Sequence, residues 1–239
     1  MNVSVVLASF NGENYLKEQI ESILPQLEPN DELIITDDGS TDQTLTVLQP
    51  FLQDSRISLF ENHFLGFKEN FTVGIKAAKK EVIVLSDQDD VWHPDRLKET
   101  KKAFNEGADI LIVAPCFVDK KLQILSKERY NYRWRSGFWL NFWKNSFIGA
   151  CMAFKKELAK EFLPFPKNVD YHDSWIALLG YLRRKKIVHI DRELIYYRRH
   201  KGTFSGERKE MGVVVKSRVL LLVNLLKRWS LLRKSESQT

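Results

Sequence analysis

The sequence is short of the features that mark secreted, disulfide-stabilised and membrane-spanning proteins. Its 239 residues include two cysteines, Cys116 and Cys151, which are too few for a disulfide framework. The N-terminal stretch turns polar after eight residues and lacks the apolar core of a secretory signal, so the cytoplasm is the expected compartment. The longest unbroken apolar run in the hydrophobic C-terminal segment, 219–223, is far below the roughly 20 residues that cross a bilayer.

Glycine and proline are also scarce, at 11 and 7 residues, and no linker rich in glycine, serine or proline interrupts the chain. With 44% hydrophobic and 28% charged residues, the composition excludes collagen-like, low-complexity and wholly disordered proteins. No internal repeat is present. The length therefore predicts one folded domain over residues 1–205, followed by a basic amphipathic helix and tail over residues 206–239.

The net charge of +6 is concentrated at one end of the chain. Residues 1–200 hold 28 basic and 28 acidic side chains, whereas residues 201–239 hold nine basic and three acidic ones. A nucleic-acid-binding protein more often spreads its positive charge over the folded body, so no nucleic-acid partner is expected. A neutral body with a basic end favours an anionic surface as the partner of the C-terminal segment.

Short β-like runs alternate with amphipathic helical stretches through the first half of the sequence. The predicted strands cover 3–8, 32–37, 56–61, 81–87 and 108–114, and the predicted helices cover 15–27, about 42–51, a stretch around 71–78 and 94–104. This alternation predicts an α/β fold with a doubly wound, mainly parallel sheet. Further along, the pattern predicts a strand at 146–154, a helix at 173–182, a strand at 186–191 and a final helix at 211–234.

Polar groups follow several of the predicted strands. They occupy segments 9–11, 37–40 and 87–90 after the first, second and fourth strands, and segment 171–173 before a later helix. In open α/β sheets, ligands bind outside the carboxyl ends of the strands. We therefore expect these segments to converge on one ligand-binding site.

The segment Asp87-Gln88-Asp89-Asp90 places three carboxylates within four residues. Charges this close repel one another, and burial beside an apolar strand increases the cost. A divalent cation would remove the conflict, and carboxylate oxygens without a nearby cysteine suit Mg²⁺ or Mn²⁺, which is often shared with substrate phosphates. Taken alone, the segment is more typical of a solvated loop before a helix, but a second acidic pair, Asp37-Asp38, at a neighbouring strand end favours a metal site.

Three stretches match a known family in order and spacing: VSVVLASFNGENYL, LIITDDGSTDQT and NHFLGFKENFTVGIKAAKKEVIVLSDQDDVWHPDRL. They resemble the inverting family 2 glycosyltransferases of the GT-A fold, and the resemblance resumes at GACMAF, YHDSW and YRRH. DQDDVW followed by HDSWIALLGY is most similar to the rhamnosyltransferase-like branch, which acts on bacterial surface polysaccharides. The resemblance implies sugar transfer from a dTDP- or UDP-linked donor, most specifically dTDP-rhamnose, to a glycan hydroxyl.

The resemblance implies a nucleotide-binding set at the strand ends, namely Ala8, Ser9, Phe10, Asn11, Asp38, Lys68 and Asp87. In such a set Asp38 would accept a hydrogen bond from N3–H of uracil or thymine, and Phe10 would pack against the base. Asp87 would contact the ribose or the water shell of the metal. Lys68 would reach the base or a phosphate, although a solvated lysine at a helix start explains it equally well.

The resemblance also implies that Asp89 binds Mg²⁺ or Mn²⁺ at the diphosphate, where the cation acts as a Lewis acid on the leaving group. His200 would complete the metal site or contact a phosphate, with a surface histidine as the alternative. Arg198 and Arg199 would offer positive charge to the diphosphate.

Asp173 matches the aspartate that the family uses as the general base, a role that typically contributes roughly 10²–10⁴-fold to the rate. The alternative for Asp173 is a helix N-cap. The family commonly has glutamate before this aspartate, whereas His172 stands here, so the usual acceptor contact at that position is not implied. Trp175 would line the acceptor site or pack in the core.

Basic and apolar residues are interspersed from 211 to 232, including Lys216, Lys227, Arg228 and Trp229. The pattern is typical of a helix lying in an anionic membrane surface, where each basic residue adds roughly 1 kcal/mol. We therefore expect peripheral attachment to the cytoplasmic face of the inner membrane and a lipid-linked acceptor. The aromatic segment 129–147 would meet the same surface or line the acceptor cleft, and the alternative for both segments is a homodimer or core surface.

Two other functions compete with sugar transfer. Nucleotidyl transfer also uses acidic metal sites, but it predicts a glycine-rich, basic phosphate loop after the first strand, and SFNGENY has one glycine and no basic residue. A catalytically inactive carbohydrate-binding or scaffold protein of the same fold is the other alternative. The intact acidic residues named above argue against it.

Overall fold

The computed structural model describes residues 1–125, 132–200 and 211–237. The strands are β1 Val3–Ser9, β2 Glu32–Asp37, β3 Ile57–Glu61, β4 Val82–Asp87, β5 Val91–Trp92, β6 Ile110–Val118, β7 Met152–Lys155 and β8 Ile187–Arg198. The α-helices are α1 Leu16–Ile23, α2 Thr44–Leu48, α3 Phe67–Ala77, α4 Arg96–Asn105, α5 Phe138–Trp143, α6 Ala159–Phe162, α7 His172–Leu182 and α8 Met211–Glu236. In the described residues the strands form one sheet in the order β3-β2-β1-β4-β7-β6-β8-β5.

The N-terminal half of the sheet is parallel. β1 pairs with β2 on one side and β4 on the other, and β2 pairs with β3. Val5, Val6 and Leu7 of β1 are fully buried, as expected for a parallel strand covered by helices on both faces. The mainly parallel α/β sheet predicted from the alternating pattern is therefore confirmed.

The crevice beside β1 is the topological switch point of this sheet. From β1 the chain moves outward to β2 and β3, and it then crosses back to add β4 on the other side of β1. Neighbouring connections leave in opposite directions at such a point, so a gap forms outside the strand ends. The candidate site residues after β1, β2 and β4 surround this gap.

The second half of the sheet differs from the expectation. The strand predicted at 146–154 is reduced to β7, because Gly149–Cys151 forms a 3₁₀ turn before it. β7 runs antiparallel to both β4 and β6. β8 is longer than predicted. Its pairing with β6 continues to the pair Val118 and Arg198, and β5 pairs with it on the other side.

The predicted helices are present with shifted ends. α1 stops at Ile23 because the following residues, Leu24–Gln26, form a 3₁₀ turn containing Pro25. α4 begins at Arg96, so Pro94 precedes the helix instead of occupying its first turn.

One face of α8 packs against the folded body. Leu221 and Leu225 are buried, and the Arg228 guanidinium donates to the main-chain carbonyls of Glu161 and Leu163, at 2.9 and 2.7 Å. Arg228 therefore faces the protein body, and the prediction that it belongs to the membrane-facing basic residues is wrong.

No helix in the described part of the chain is both long and apolar enough to cross a bilayer. The predicted boundary at 205/206 and residues 129–131 of the aromatic segment lie outside the described residues.

Candidate active site

The parallel register brings the predicted site segments together at one edge of the sheet. Ser9 of β1 lies opposite Asp37 of β2, and Ala8 lies opposite Asp87 of β4. The strand ends open into a cleft with a volume of about 930 Å³. Eight of the residues predicted from the sequence line it: Ala8, Ser9, Phe10, Asp38, Asp87, Asp89, Asp173 and Arg199.

Asp38 organises the end of the cleft nearest β3. Its carboxylate accepts hydrogen bonds from the N–H groups of Leu65 and Gly66, at 2.7 and 2.8 Å. A carboxylate has about four lone-pair sites, so Asp38 retains capacity for a further donor. Phe10 is 44% exposed at the same cleft. A hydrogen-bond acceptor near an exposed aromatic ring suits the binding of a planar heterocycle.

Gln88, which is not among the site residues predicted from the sequence, links the acidic loop (residues 87–90) to the end of β1. Its amide oxygen accepts from the Phe10 N–H at 2.8 Å and from the Ser9 hydroxyl at 3.1 Å, and its amide nitrogen donates to the Phe10 carbonyl at 2.8 Å. Gly12 leaves the space for this side chain, since a Cβ there would stand 2.3 Å from Gln88 Oε1. Its place within the run of aspartates puts Gln88 at the site, but the sequence does not indicate that its partners are Ser9 and Phe10.

The carboxylates after β4 lie in different surroundings. Asp90 is buried; its Oδ1 accepts from the Arg198 N–H at 3.1 Å, whereas its Oδ2 has no hydrogen-bond partner among the described residues. Burial and the charges of Asp89 and Asp87 raise the pKa of Asp90 well above its ordinary value. Desolvation, with the charges of Asp89 and Asp173, raises the pKa of Asp87 to about 7. The segment is therefore a crowded acidic site and not a solvated loop.

His200 meets the acidic loop because β5, which follows that loop, pairs with β8. His200 Nε2 lies 2.7 Å from Asp89 Oδ2, and the imidazole stacks on the Tyr15 ring with centroids 5.1 Å apart. The structure thus brings together the two side chains that the resemblance assigned to the metal.

The donor set of Asp89 and His200 fits a divalent cation. A carboxylate oxygen suits Mg²⁺ or Mn²⁺, and an imidazole nitrogen is a ligand of transition metals, the class to which Mn²⁺ belongs. A cation would also relieve the crowding of Asp87, Asp89 and Asp90. Among the described residues, no group of three or more His, Cys, Asp or Glu side chains forms a preassembled metal site. Two protein ligands suffice where phosphates and waters complete the shell, which is the usual arrangement for Mg²⁺.

Asp173 lies in the first turn of α7 and lines the cleft. It is not the N-cap of that helix, because Tyr171 occupies the cap position. Burial raises the pKa of Asp173 to about 6, and hydrogen bonds from Ser174 and Asn145 partly oppose this rise. A carboxylate with a pKa near neutrality in a cleft is suited to accepting a proton.

His172 closes the wall of the cleft next to Asp173. Its ring is buried among Phe67, Phe71 and Phe165, with centroid distances of 5.7, 4.8 and 6.0 Å. Burial lowers the pKa of His172 to about 4, so the imidazole is neutral at physiological pH. Gly149 makes room for it, because a Cβ there would stand 2.5 Å from His172 Nε2.

Two predicted site residues are engaged outside the cleft. The Lys68 ammonium donates to three main-chain carbonyls of the 166–169 loop, at 2.7–3.1 Å. The predicted contact of Lys68 with the base or a phosphate is therefore replaced by a structural role that joins α3 to this loop. Trp175 is 1% exposed and its indole N–H donates to the Phe162 carbonyl at 2.8 Å, so it packs in the core and does not line an acceptor site.

Arg198 is also structural. Its guanidinium donates to the Glu18 carboxylate and to the main-chain carbonyls of Asp89 and Lys120, and the side chain is buried. The predicted contact of Arg198 with a diphosphate is therefore corrected. Arg198 supports the acidic loop through its hydrogen bond to the main-chain carbonyl of Asp89. Arg199, the next residue along the chain, lines the cleft, and its contact with the diphosphate stays a prediction.

Asn11 joins the loops after β1 and β2. Its side-chain oxygen accepts from the Thr41 N–H at 2.9 Å, and its own N–H donates to the Ser40 hydroxyl at 2.8 Å. Asn11 has a φ of 50°, a conformation that asparagine tolerates better than most residues. It is absent from the residues that line the cleft; its side chain joins the two loops, and its predicted part in nucleotide binding stays a prediction.

Comparison with known sequences identifies a family. The profile described as "Glycosyl transferase family 2" matches residues 4–163, which is well over half of the chain. The matched segment contains β1 to β4, the acidic loop and β7.

Curated relatives match much of the chain. Glycosyltransferase GlyG of Streptococcus pneumoniae is 30% identical over 224 residues, covering 84% of this chain and 72% of GlyG. The dTDP-rhamnosyl transferase RfbG of Shigella flexneri is 28% identical over 241 residues, covering 87% of this chain and 78% of RfbG. A glycosyltransferase of Nostoc is 36% identical over 107 residues, and the chain spans about a third of its length, 33%.

Solved structures share the fold. S. aureus TarS, in complex with UDP-GlcNAc, superposes with a TM-score of 0.70 at 20% identity, covering 94% of this chain and 67% of that one. Mannosyltransferase PcManGT from Pyrobaculum calidifontis, in complex with GDP-Man and Mn²⁺, gives a TM-score of 0.67 at 19% identity, covering 84% and 58%. These likenesses confirm the GT-A fold that the sequence resemblance implied.

Proposed function

The chain belongs to glycosyl transferase family 2, whose members move sugars from nucleotide-sugar donors, and we propose that it transfers rhamnose from dTDP-rhamnose to a hydroxyl of a bacterial surface glycan, with inversion. The choice of rhamnose is supported by the similarity to RfbG, which extends over most of both chains. It is also supported by the HDSW sequence at 172–175.

The proposal rests on the convergence of Asp38, Asp89 and Asp173 on one cleft. The three residues come from separate connections, after β2, after β4 and at the start of α7. Sugar transfer needs a base pocket, a diphosphate site and an acceptor for a proton in one cavity. The cleft volume of about 930 Å³ is in the range of ligand pockets.

The donor half of the reaction uses the residues at the strand ends. Asp38 would accept N3–H of thymine while Phe10 packs against the ring, and Asp87 would contact the ribose. Asp89 and His200 would hold the divalent cation, which when bound supplies Lewis-acid stabilisation to the departing nucleoside diphosphate. PcManGT, whose structure contains Mn²⁺ with GDP-Man, supports this use of a metal.

The acceptor half of the reaction uses Asp173. The acceptor hydroxyl attacks the anomeric carbon from the face opposite the diphosphate, and Asp173 takes its proton. Ser174 and Asn145 hold the carboxylate in place, and the neutral His172 beside it adds no positive charge that would weaken the base. Arg199 would add positive charge at the diphosphate.

The transfer rate is expected to fall at acidic pH, with a midpoint near pH 6. Asp173 acts as a base only when it is ionised, and its pKa is raised to about 6. The value of kcat/KM should therefore be constant well above pH 6 and fall about tenfold per pH unit well below it. The profile is measured from pH 5 to 8, with the Kd of dTDP determined at each pH to separate chemistry from donor binding. An acidic limb with a midpoint near pH 4 would contradict the assignment.

The function is tested by incubating the purified chain with Mn²⁺ or Mg²⁺, a panel of nucleotide-sugars and glycan acceptors, and measuring nucleoside diphosphate release. We expect the highest rate with dTDP-rhamnose and loss of activity on chelation of the metal by EDTA. A preference for another donor would contradict the rhamnose assignment but not the family reaction. The inactive scaffold alternative predicts donor binding by calorimetry without turnover in any combination.

We also propose that the acceptor is lipid-linked and that α8 attaches the chain to the cytoplasmic face of the inner membrane. The face of α8 turned away from the body exposes Val219, Val223 and Leu226. Lys216 and Lys227 are exposed on the same helix. Apolar and basic side chains on one helix favour an anionic interface.

The short helix α5 supports the same orientation. Its inner residues Asn141 and Phe142 are buried, whereas Trp139 and Trp143 are 65% and 66% exposed. Tryptophan is enriched at membrane interfaces because its ring is apolar and its N–H is polar. Asn145, two residues after α5, bonds to Asp173, so this aromatic surface lies near the proposed acceptor side of the cleft.

The double variant Val219→Asp, Val223→Asp is expected to bind phosphatidylglycerol vesicles at least about fivefold more weakly than the wild type, because it removes apolar contact and adds negative charge. Co-sedimentation measures the binding, and thermal unfolding checks the fold. Ile124→Asp, a matched change at an exposed apolar residue outside α8, should bind like the wild type. If the wild type is a dimer in solution and the double variant is a monomer, the exposed face of α8 is a dimer contact. That outcome would contradict the membrane assignment.

A further inference from the structure

The loop between β3 and α3 holds an exposed aromatic ring at the cleft. Phe64 is 68% exposed, lines the cleft and has a φ of 52°. A phenylalanine in this left-handed region is uncommon and costs of order 1 kcal/mol. An exposed ring gains little from core packing, so core packing does not account for a phenylalanine in this conformation.

The conformation of Phe64 is imposed by β2 and its loop. Asp38 holds the segment from both sides of Phe64: its main-chain carbonyl accepts from the Phe64 N–H at 3.2 Å, and its carboxylate accepts from the next two N–H groups, those of Leu65 and Gly66. The side chain of Asn62 also donates to Asn70 Oδ1 at 2.9 Å. The ring is therefore presented to the cleft by a fixed loop.

The Phe64 ring stands against Phe10, the residue that the sequence resemblance placed at the base. Their centroids are 6.0 Å apart and their planes are inclined by 77°. Two rings set edge to face form a corner, so a planar group packed on the face of one ring meets the edge of the other. The Asp38 carboxylate, which holds the loop, supplies the hydrogen-bond acceptor of the same pocket.

We propose that Phe64 is a binding residue for the nucleotide base, forming with Phe10 an aromatic corner in which the base packs while Asp38 accepts a hydrogen bond from it. This inference rests on the proposed function, because it takes a nucleotide-sugar as the donor. The proposal adds a binding residue that no sequence motif indicates. It also accounts for a phenylalanine in the left-handed conformation at this position. Stacking of a base on an aromatic side chain is typically worth about tenfold in affinity or more.

The test measures the Kd of dTDP and of UDP by calorimetry at a fixed Mn²⁺ concentration. Phe64→Gly removes the ring while placing at φ 52° the residue that adopts this conformation most readily, so the loop keeps its shape. We expect Phe64→Gly to weaken binding of both nucleotides about tenfold. Phe64→Trp retains an aromatic face and should bind within about twofold of the wild type.

Leu65→Ala is the matched control, since Leu65 is 48% exposed but is not among the residues lining the cleft. It should leave the Kd within about twofold of the wild type. Wild-type affinity in Phe64→Gly, or an equal loss in Leu65→Ala, would overturn the role of the ring and leave the proposed function standing. A wild-type chain that binds neither nucleotide would contradict the proposed function itself, and this inference with it.

Discussion

Asp173→Asn is expected to lower the rate of sugar transfer at least about 100-fold while the Kd of dTDP stays within about twofold of the wild type. Asparagine has the shape of aspartate but cannot take a proton from the acceptor hydroxyl, and a general base typically contributes 10²–10⁴-fold. The amide oxygen can still accept the hydrogen bond from the Ser174 N–H. The measurement is nucleoside diphosphate release under saturating donor, together with calorimetric binding of dTDP.

Asp170→Asn provides the matched control for this variant. Asp170 is exposed three residues before the base, and its carboxylate accepts from the Ser217 hydroxyl at 3.0 Å. The same chemical change there should leave the rate within about twofold of the wild type. Turnover at the wild-type rate in Asp173→Asn would show that Asp173 is not the general base.

The donor side of the site could be predicted from the sequence because parallel strands place their carboxyl ends at one edge of the sheet. Once β1, β2 and β4 are recognised as neighbours, the segments after Ser9, Asp37 and Asp87 must be adjacent, and the register confirms it. No such rule applies to Asp173, which follows β4 by more than 80 residues. Its place in the cleft was predictable only through the family resemblance.

The assignments of Lys68 and Arg198 to the bound ligand fail for one physical reason, which is that long cationic side chains find partners far away in the sequence. The carbonyls that bind the Lys68 ammonium come from residues 166–169. Arg198 pairs with Glu18 from the first helix. A cationic residue near a phosphate-binding motif looks available in the sequence, but burial requires that it be paired inside the protein. Arg199, the next residue, lines the cleft.

Gln88 and Phe64 are not among the residues predicted from the sequence, for a related reason. Gln88 bonds to Ser9 and Phe10, which lie on another strand end, and Phe64 owes its conformation to hydrogen bonds with Asp38. Each depends on a backbone geometry that exists only after the sheet has formed. A pattern of residue types indicates which chemistry is present, whereas the supports that orient it arise from tertiary contacts.

The same substitution is expected to have very different effects on the transfer rate at two adjacent residues of the acidic loop, Asp89 and Asp90. Asp89→Asn should reduce transfer at least about 100-fold, since it removes the carboxylate proposed to hold the metal, and a bound metal supplies several kcal/mol of charge stabilisation to the leaving group. Asp90→Asn should keep the rate within about threefold of the wild type. The rates are measured by nucleoside diphosphate release over a series of Mn²⁺ concentrations.

The difference follows from the surroundings of the two carboxyl groups. Burial and neighbouring charges raise the pKa of Asp90 well above its ordinary value, which favours its protonated form, and asparagine matches the shape and charge of that form. The amide oxygen of Asn can still accept from the Arg198 N–H that Asp90 Oδ1 now binds at 3.1 Å. Asp89 instead lines the cleft beside His200. Equal loss of activity in both variants would mean that Asp90 is ionised and shares the cation, whereas full activity in Asp89→Asn would show that the carboxylate at this position is not required for transfer.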